Sequence, residues 1–373
     1  MRTLKAIPLL AVWCLLLTPM DGQISRTRPA RTTGARGVED FRESWRLLDP
    51  ITRGNLSIYP VISNLKVDTS DFLTLDEGLA KGEVRIAERG ELQNALYRRR
   101  STRRWPPVFE ERPQYEGASV NELMLVNQSE RPLLLLAGEV VSGGKQNRII
   151  GADVVVPPKS DPIPLSVFCV EHGRWTPGGA GFGAAGAIAH PDIRREAQVS
   201  KSQTGVWNSV AGTMQVLAAP SPTASYVDVI NSPQAKRALD EKASSIEREY
   251  ENELCAKIGG GGAVGVVVAI NGELVWSDVF PSTELFRKYW PKLLRSYVLE
   301  ADGHPKAYKR APSAKLALGF LLEDAGRVTV KEEPRAYRRT EIAARDYQIV
   351  ALEALGKFSD GGLLVHYNKM SRD

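Results

Sequence analysis

Residues 120–168, VNELMLVNQSERPLLLLAGEVVSGGKQNRIIGADVVVPPKSDPIPLSVF, decide the fold class. Five apolar runs, at 120–127, 132–136, 139–141, 149–156 and 163–168, are separated by Asn-Gln-Ser, Gly-Gly and Pro-Pro-Lys-Ser-Asp-Pro punctuation. Short runs rich in Val, Ile and Leu and bounded by turn residues read as strands, and strands at this spacing suggest an antiparallel barrel or sandwich. Two segments depart from the pattern. Residues 138–148 and 169–175 set Glu139, Lys145, Gln146, Asn147, Arg148, Cys169, Glu171, Arg174 and Trp175 where a strand would alternate apolar and polar residues.

Toward the C-terminus the pattern turns mixed. Residues 176–189 are so rich in Gly and Ala that they read as a mobile loop, either a linker or a lid over the neighbouring cluster. Gln203, Trp207, Val210, Met214 and Leu217 share one helical face, and so do Leu239, Ala243, Ile246, Tyr250, Leu254 and Ile258, with Ser232 and Pro233 opening the second helix. Gly259 to Gly262 stop it, and 264–270 and 273–280 form a hairpin around Asn271-Gly272. Ser282 caps a helix over 283–300 that buries Leu285, Phe286, Tyr289, Trp290, Leu293, Leu294 and Tyr297, with a kink expected at Pro291. Its other stripe, Lys288, Lys292 and Arg295, reads as a solvated face or as the rim of an anionic pocket. A helix at 313–323 and strands near 328–331 and 363–367 follow, while 337–355 reads as strand, helix or both.

Toward the N-terminus, 55–62 and 83–87 read as strands with a helical turn at 75–80 between them. The basic run 97–107 is a solvated loop or a patch for an acidic polymer. Residues 23–40, rich in Arg, Thr and Gly, read as a disordered lead-in. Arg2 and Lys5, an apolar core at 6–17 and a polar segment ending near Gly22 have the form of a secretory signal peptide. Export to the periplasm or the medium is the expectation, with no transmembrane segment in the mature chain. The expected fold is therefore α+β: a β-rich part at 41–175, helices and a hairpin at 176–300, and a C-terminal α/β extension at 301–373.

A net charge of +5 over 373 residues is no nucleic-acid footprint. Loss of the signal would leave Cys169 and Cys255, as two thiols or as a disulfide. Gly138, Gly143 and Lys145 miss the register of a phosphate loop, and the glycines at 259–262 follow a helix and precede a strand, the reverse of a dinucleotide fingerprint. His172, His190, His304 and His366 are scattered, and Cys169 with His172 makes only half of a zinc site, so no metal is expected. Cys169 remains a weak candidate nucleophile. In a ligand site, Lys145, Arg148 and Arg174 would neutralise phosphate or carboxylate, Gln146 and Asn147 would read hydroxyls, Trp175 would stack on a ring, and Glu139 and Glu171 would act as acid and base. In a structural network, Arg148 and Arg174 would instead pair with Glu139 and Glu171 to pin a β-turn.

These blocks resemble a known family, the ARG-and-rhodanese-phosphatase-superfamily-associated protein domain. The resemblance rests on Leu135 to Glu139, Gly143 to Arg148, Pro164 to Trp175, Gln203 to Trp207, the Asn271-Gly272 hairpin and Phe286 to Tyr297. That family is named for its association with ADP-ribosylglycohydrolases and rhodanese-like phosphatases, so the resemblance implies a link to ADP-ribose or NAD metabolism. Two functions are expected: an exported domain with a pocket for a phosphorylated or nucleotide-like anion of the ADP-ribose class, or a non-catalytic structural or interaction protein of the cell envelope.

Overall fold

Asn271 and Gly272 both take positive φ, 52° and 78°, the type I′ geometry that matches the twist of two antiparallel strands. They join Gly265–Ile270 to Glu273–Val279, and this hairpin is the centre of the largest sheet. The computed structural model describes residues 37–89, 121–175, 181–258, 262–304, 309–356 and 362–372. Among them that sheet has nine antiparallel strands. On one side of the hairpin lie Leu56–Ile62 and then Arg46–Leu47, with Ile51–Arg53 also paired to Leu56–Ile62. On the other side lie Leu363–Ser371, Tyr347–Ala354, Tyr337–Ala343 and Arg327–Glu333 in turn. The chain read as a C-terminal extension thus supplies four of the nine strands, and the ambiguous 337–355 stretch is two strands.

The second half of the architecture is the β-rich segment. Phe182–Ile188, Glu139–Gly143, Arg148–Ile150, Ile163–Cys169, Glu122–Asn127 and Val84–Glu88 form an antiparallel sheet, and Val154–Val156, Leu133–Leu135 and Leu73–Thr74 a smaller one whose last pair is parallel. These strands are two-sided: Leu134, Val140, Ile149 and Phe168 enter the main core, while Leu135, Val141, Ile150 and Val167 fill a second core. Burial on both faces explains why the runs are continuously apolar instead of alternating. The fold is α+β, as its sequence pattern indicates, and no helix of the described residues is long and apolar enough to cross a membrane.

Helices cover these sheets at the positions their caps mark. Ser282 accepts from the Leu285 amide at 3.1 Å and opens Thr283–Gly303, which runs unbroken through Pro291 and buries the whole expected apolar face. Pro233–Ile258 starts behind Ser232, and Gln203–Val216 behind Ser202. In the latter the buried face is Val206, Val210 and Thr213, one position round from the expected stripe. Gln203 and Trp207 instead sit at its edge: Gln203 brackets the Cys169 backbone with two hydrogen bonds, and Trp207 meets His172 edge-on at 4.3 Å.

Three local readings change. Phe182–Ile188 is a strand on Glu139–Gly143, not a loop; the glycine that this packing requires is in the neighbouring turn, where a Cβ on Gly144 would fall 2.2 Å from the Phe182 ring, whereas Gly183 and Gly186 within the strand have open space around them. Helix Val38–Ser44 begins inside the expected lead-in and buries Phe41. The short helices Pro191–Arg195 and Tyr226–Asn231 were not legible from periodicity. The signal segment, most of the lead-in, the basic run 97–107, residues 176–180 and the glycines 259–261 lie outside the described residues, as does the side chain of Cys255.

Candidate functional site

The two polar segments meet. The turn between strands Glu139–Gly143 and Arg148–Ile150 is closed by Asn147, whose Oδ1 accepts from the Gly143 amide at 3.1 Å. Glu171 then accepts from the Asn147 amide at 3.0 Å, from Arg174 at 2.7 Å and from Thr223 at 2.9 Å. Asn147 donates to Ser225, Gln146 to the Glu171 carbonyl and Arg174 to the Gly144 carbonyl. The Cys169 thiol is unbridged and buried, and donates to the Glu171 carbonyl at 3.3 Å. Arg148 is fully buried and reaches the Asn147 carbonyl at 3.3 Å. Burial would raise the Glu171 carboxyl, but the donors from Arg174, Asn147 and Thr223 outweigh it and hold the group below its usual range.

This part of the cluster is a set of hydrogen bonds centred on one carboxylate, in which the buried Gln146 Oε1 lacks a partner among the described residues. Lys145 and Trp175 stand outside it, with the ammonium 5.0 Å from the centre of an indole that is 48% exposed. Glu171→Gln should cost about 2–3 kcal/mol, short of a fully buried pair because Arg174 keeps contact with water. Urea midpoints measure it, and a change under about 0.5 kcal/mol, the scale of an ordinary surface substitution, would refute the structural role of the network.

Glu139 is held by other donors. Its Oε2 accepts from the Leu136 amide and its Oε1 from Lys292 at 2.7 Å, 153 positions along the chain. Lys292 also reaches Asp76 at 2.6 Å and lies over the Tyr289 ring. The pairing of Glu139 with an arginine of the cluster is therefore replaced by a lysine from the stripe on helix Thr283–Gly303. Burial raises Glu139 above the ordinary carboxyl range against the pull of Lys292, and Lys292 is raised too, since its two carboxylates outweigh the burial that would lower it.

Lys292 opens on its other side into a cavity of about 310 Å³, walled by the Gly/Ala strand at Ala185 to Ile188, by Tyr226 and by the helices carrying Lys236, Asp240, Arg295 and Leu299. Small side chains on the strand leave the space, and three cations face it. The stripe is thus a pocket wall at Lys292 and Arg295, with Arg295 paired to Asp240 at 2.7 Å. Lys288 turns to Glu77 and the Phe72 carbonyl.

A third polar cluster lies fully buried between the sheets. Arg194 makes two 2.9 Å hydrogen bonds to Asp278, which also receives Trp276, Tyr297, Asn368 and His366. The other nitrogen of His366 meets Asp153 at 2.6 Å. Two carboxylates face one guanidinium and one imidazolium, so the charges balance. Sequence reasoning missed the group because its members stand far apart in the chain. The available signal was Asp278 and His366 sitting in step with Trp276, Phe280, Leu364 and Met370, on strands where apolar residues are expected. Nearby, His190 is held between Glu300 at 2.6 Å and Thr213 at 2.8 Å. Asp192, Glu300 and His304 could jointly ligate a metal, their ligand atoms lying within 4.8 Å of one another, although Glu300 is already occupied by both histidines and the Asp192 amide.

The model of the ARG and Rhodanese-Phosphatase-superfamily-associated Protein domain matches residues 44–369. The chain belongs to that family. The match continues past Glu300 to the last strand, so the family domain includes the residues that close the nine-stranded sheet. It also spans every residue of the three polar clusters. No curated protein and no solved structure gives a significant match.

Proposed function

We propose that this family domain is an exported binding protein or enzyme for a small phosphorylated or nucleotide-like anion, and that the ligand sits in the cavity beside Lys292. The observation that carries the reading is Lys292 itself: a buried ammonium, kept cationic by Glu139 and Asp76, on the wall of a cavity that Lys236 and Arg295 also face. Of the two candidate acid/base carboxyls, Glu139 is the one that burial raises above the ordinary range, and it pairs with the ammonium that would meet the ligand. The association with ARG and rhodanese-phosphatase proteins in the family's name favours ligands of the ADP-ribose class, and the signal-like N-terminus supports export.

A ligand that binds only the folded state raises its stability, by about 2.7 kcal/mol at a concentration one hundred times Kd. Thermal unfolding in the presence of ADP-ribose, nucleotides and sugar phosphates is therefore expected to reveal a stabilising ligand. Lys236→Ala and Arg295→Ala should weaken that shift and leave the unliganded melting temperature nearly unchanged, because both residues are outside the buried clusters. Absence of any shift, or full shifts in both variants, would sink the proposal. The second reading, a non-catalytic structural or interaction protein of the cell envelope, is favoured by the Glu171 network, in which the carboxylate takes its donors from Asn147, Thr223 and Arg174 inside the protein; it expects no ligand shift at all.

A further inference from the structure

The strand Arg327–Glu333 ends the nine-stranded sheet, and all seven of its residues are exposed. Its pairing with Tyr337–Ala343 runs from Arg327 opposite Ala343 to Glu333 opposite Tyr337 without a bulge. Folded proteins protect such edges by shortening, bulging, covering or charging them; this strand is neither short nor bulged, no described residue covers it, and its charges at Arg327, Lys331, Glu332 and Glu333 are of both signs. Val328 and Val330, 56% and 54% exposed, stand on one face of it and are two of the few exposed large aliphatic side chains among the described residues. Arg327, Lys331 and Glu333 make no ion pair among the described residues, whereas Glu332 is tied to Arg338 at 2.9 Å within the sheet.

We propose that this edge is the interface of a twofold homodimer, in which the strand pairs antiparallel with its own copy and the two sheets continue as one. The sequence chooses the register. About a twofold axis perpendicular to the sheet, residues directly opposite one another share a face, so odd positions meet odd and even meet even. Centred on Val330, the pairing sets Arg327 against the partner's Glu333 at both ends, Thr329 against the partner's Lys331, and Val330 against itself. A shift of two in one direction sets Arg327 against the partner's Lys331, and in the other sets Lys331 against itself. Like charges directly opposite are destabilising, so only the register centred on Val330 combines complementary charge with apolar contact at the axis. The contact is isologous and closes, giving a dimer and not a filament.

The full chain should sediment as a dimer, and Val330→Lys, which places two ammonium groups face to face, should give a monomer with an unchanged circular dichroism spectrum. Oxidation of Val330→Cys should yield a covalent dimer, because opposed residues of an antiparallel pair lie about 4.5–5.5 Å apart at Cα, within disulfide range. Val328→Cys faces the partner's Glu332 and should cross-link no more than the wild type, whose own cysteines set the background. A monomeric wild type, a dimer that survives Val330→Lys, or cross-linking at 328 in place of 330 would overturn the proposal.

Discussion

Replacing Asp278 with Asn is expected to cost about 3–5 kcal/mol of folding stability, the range measured when one partner of a buried ion pair is removed. Against a total of about 5–15 kcal/mol for a folded domain this is a large share. The geometry argues for the full amount. Asp278 takes a two-pronged contact from Arg194 and further donors from Trp276, Asn368, Tyr297 and His366, and Asp278, Arg194 and His366 are all fully buried. An Asn side chain keeps the shape but loses the charge, and turns an amide donor toward groups that are themselves donors, so Arg194 is left without its paired carboxylate and His366 keeps only Asp153. Nor can the structure relax easily around Arg194, whose stem lies over Gly138: φ there is +90°, and a Cβ would sit 2.5 Å from the Arg194 Cγ. Urea unfolding of Asp278→Asn, with the double variant Asp278→Asn/Arg194→Met, tests the account. The double variant should recover part of the loss because it removes the stranded guanidinium. A single-variant loss below about 1 kcal/mol would show that the cluster does not hold the sheets together.

This cluster also marks the limit of what the sequence discloses. Local signals were readable wherever one residue type does a job alone: Asn271-Gly272 turned a hairpin, and Ser282 and the Ser232-Pro233 pair opened helices where such residues are favoured. The unbroken apolar runs between 120 and 168 gave strands because burial on both faces leaves little room for alternation. Context defeated the same logic at Phe182–Ile188, where Gly and Ala form a strand because the backbone pairs with Glu139–Gly143, a partner that composition does not disclose. The candidate site was half legible. Gln146, Asn147, Glu171 and Arg174 are close in sequence and do assemble, but the partner of Glu139 comes from a helix 153 positions later, and spacing along the chain carries no information about that. Edge exposure at Val328 and Val330 was equally invisible, since VTVKEE reads as an ordinary strand until the sheet order shows that nothing follows it.

Stability should fall as pH rises from about 6.5 to 9, and His366 should be the main cause. The imidazole lies between Asp153 and Asp278; burial alone would lower its pKa, but the two carboxylates overcome burial and push it up to about 9. An unfolded histidine titrates near 6.5. Below that value both states hold the proton and the contribution is complete; between 6.5 and 9 only the folded state does, so each unit of pH removes about 1.4 kcal/mol, roughly 3 kcal/mol in all. On the acid side Asp153 and Asp278 are held below the ordinary carboxyl range, so their contribution is present above about pH 4 and is lost as pH falls further. The cluster therefore contributes most between about pH 5 and 6.5. One group opposes the alkaline decline. Lys369, pushed down to about 8 by burial, is disfavoured in its charged form, and its cost is relieved only from about pH 8 upward. The interval from 6.5 to 8 is consequently where His366 is read most cleanly. Urea midpoints across that interval should decline for the wild type, while His366→Gln should start lower and decline less steeply, keeping only the part due to His304, which the hydrogen bond to Glu300 also raises. A wild-type profile flat from 6.5 to 8, or a variant that declines in parallel with it, would mean that His366 does not carry its proton in the folded protein.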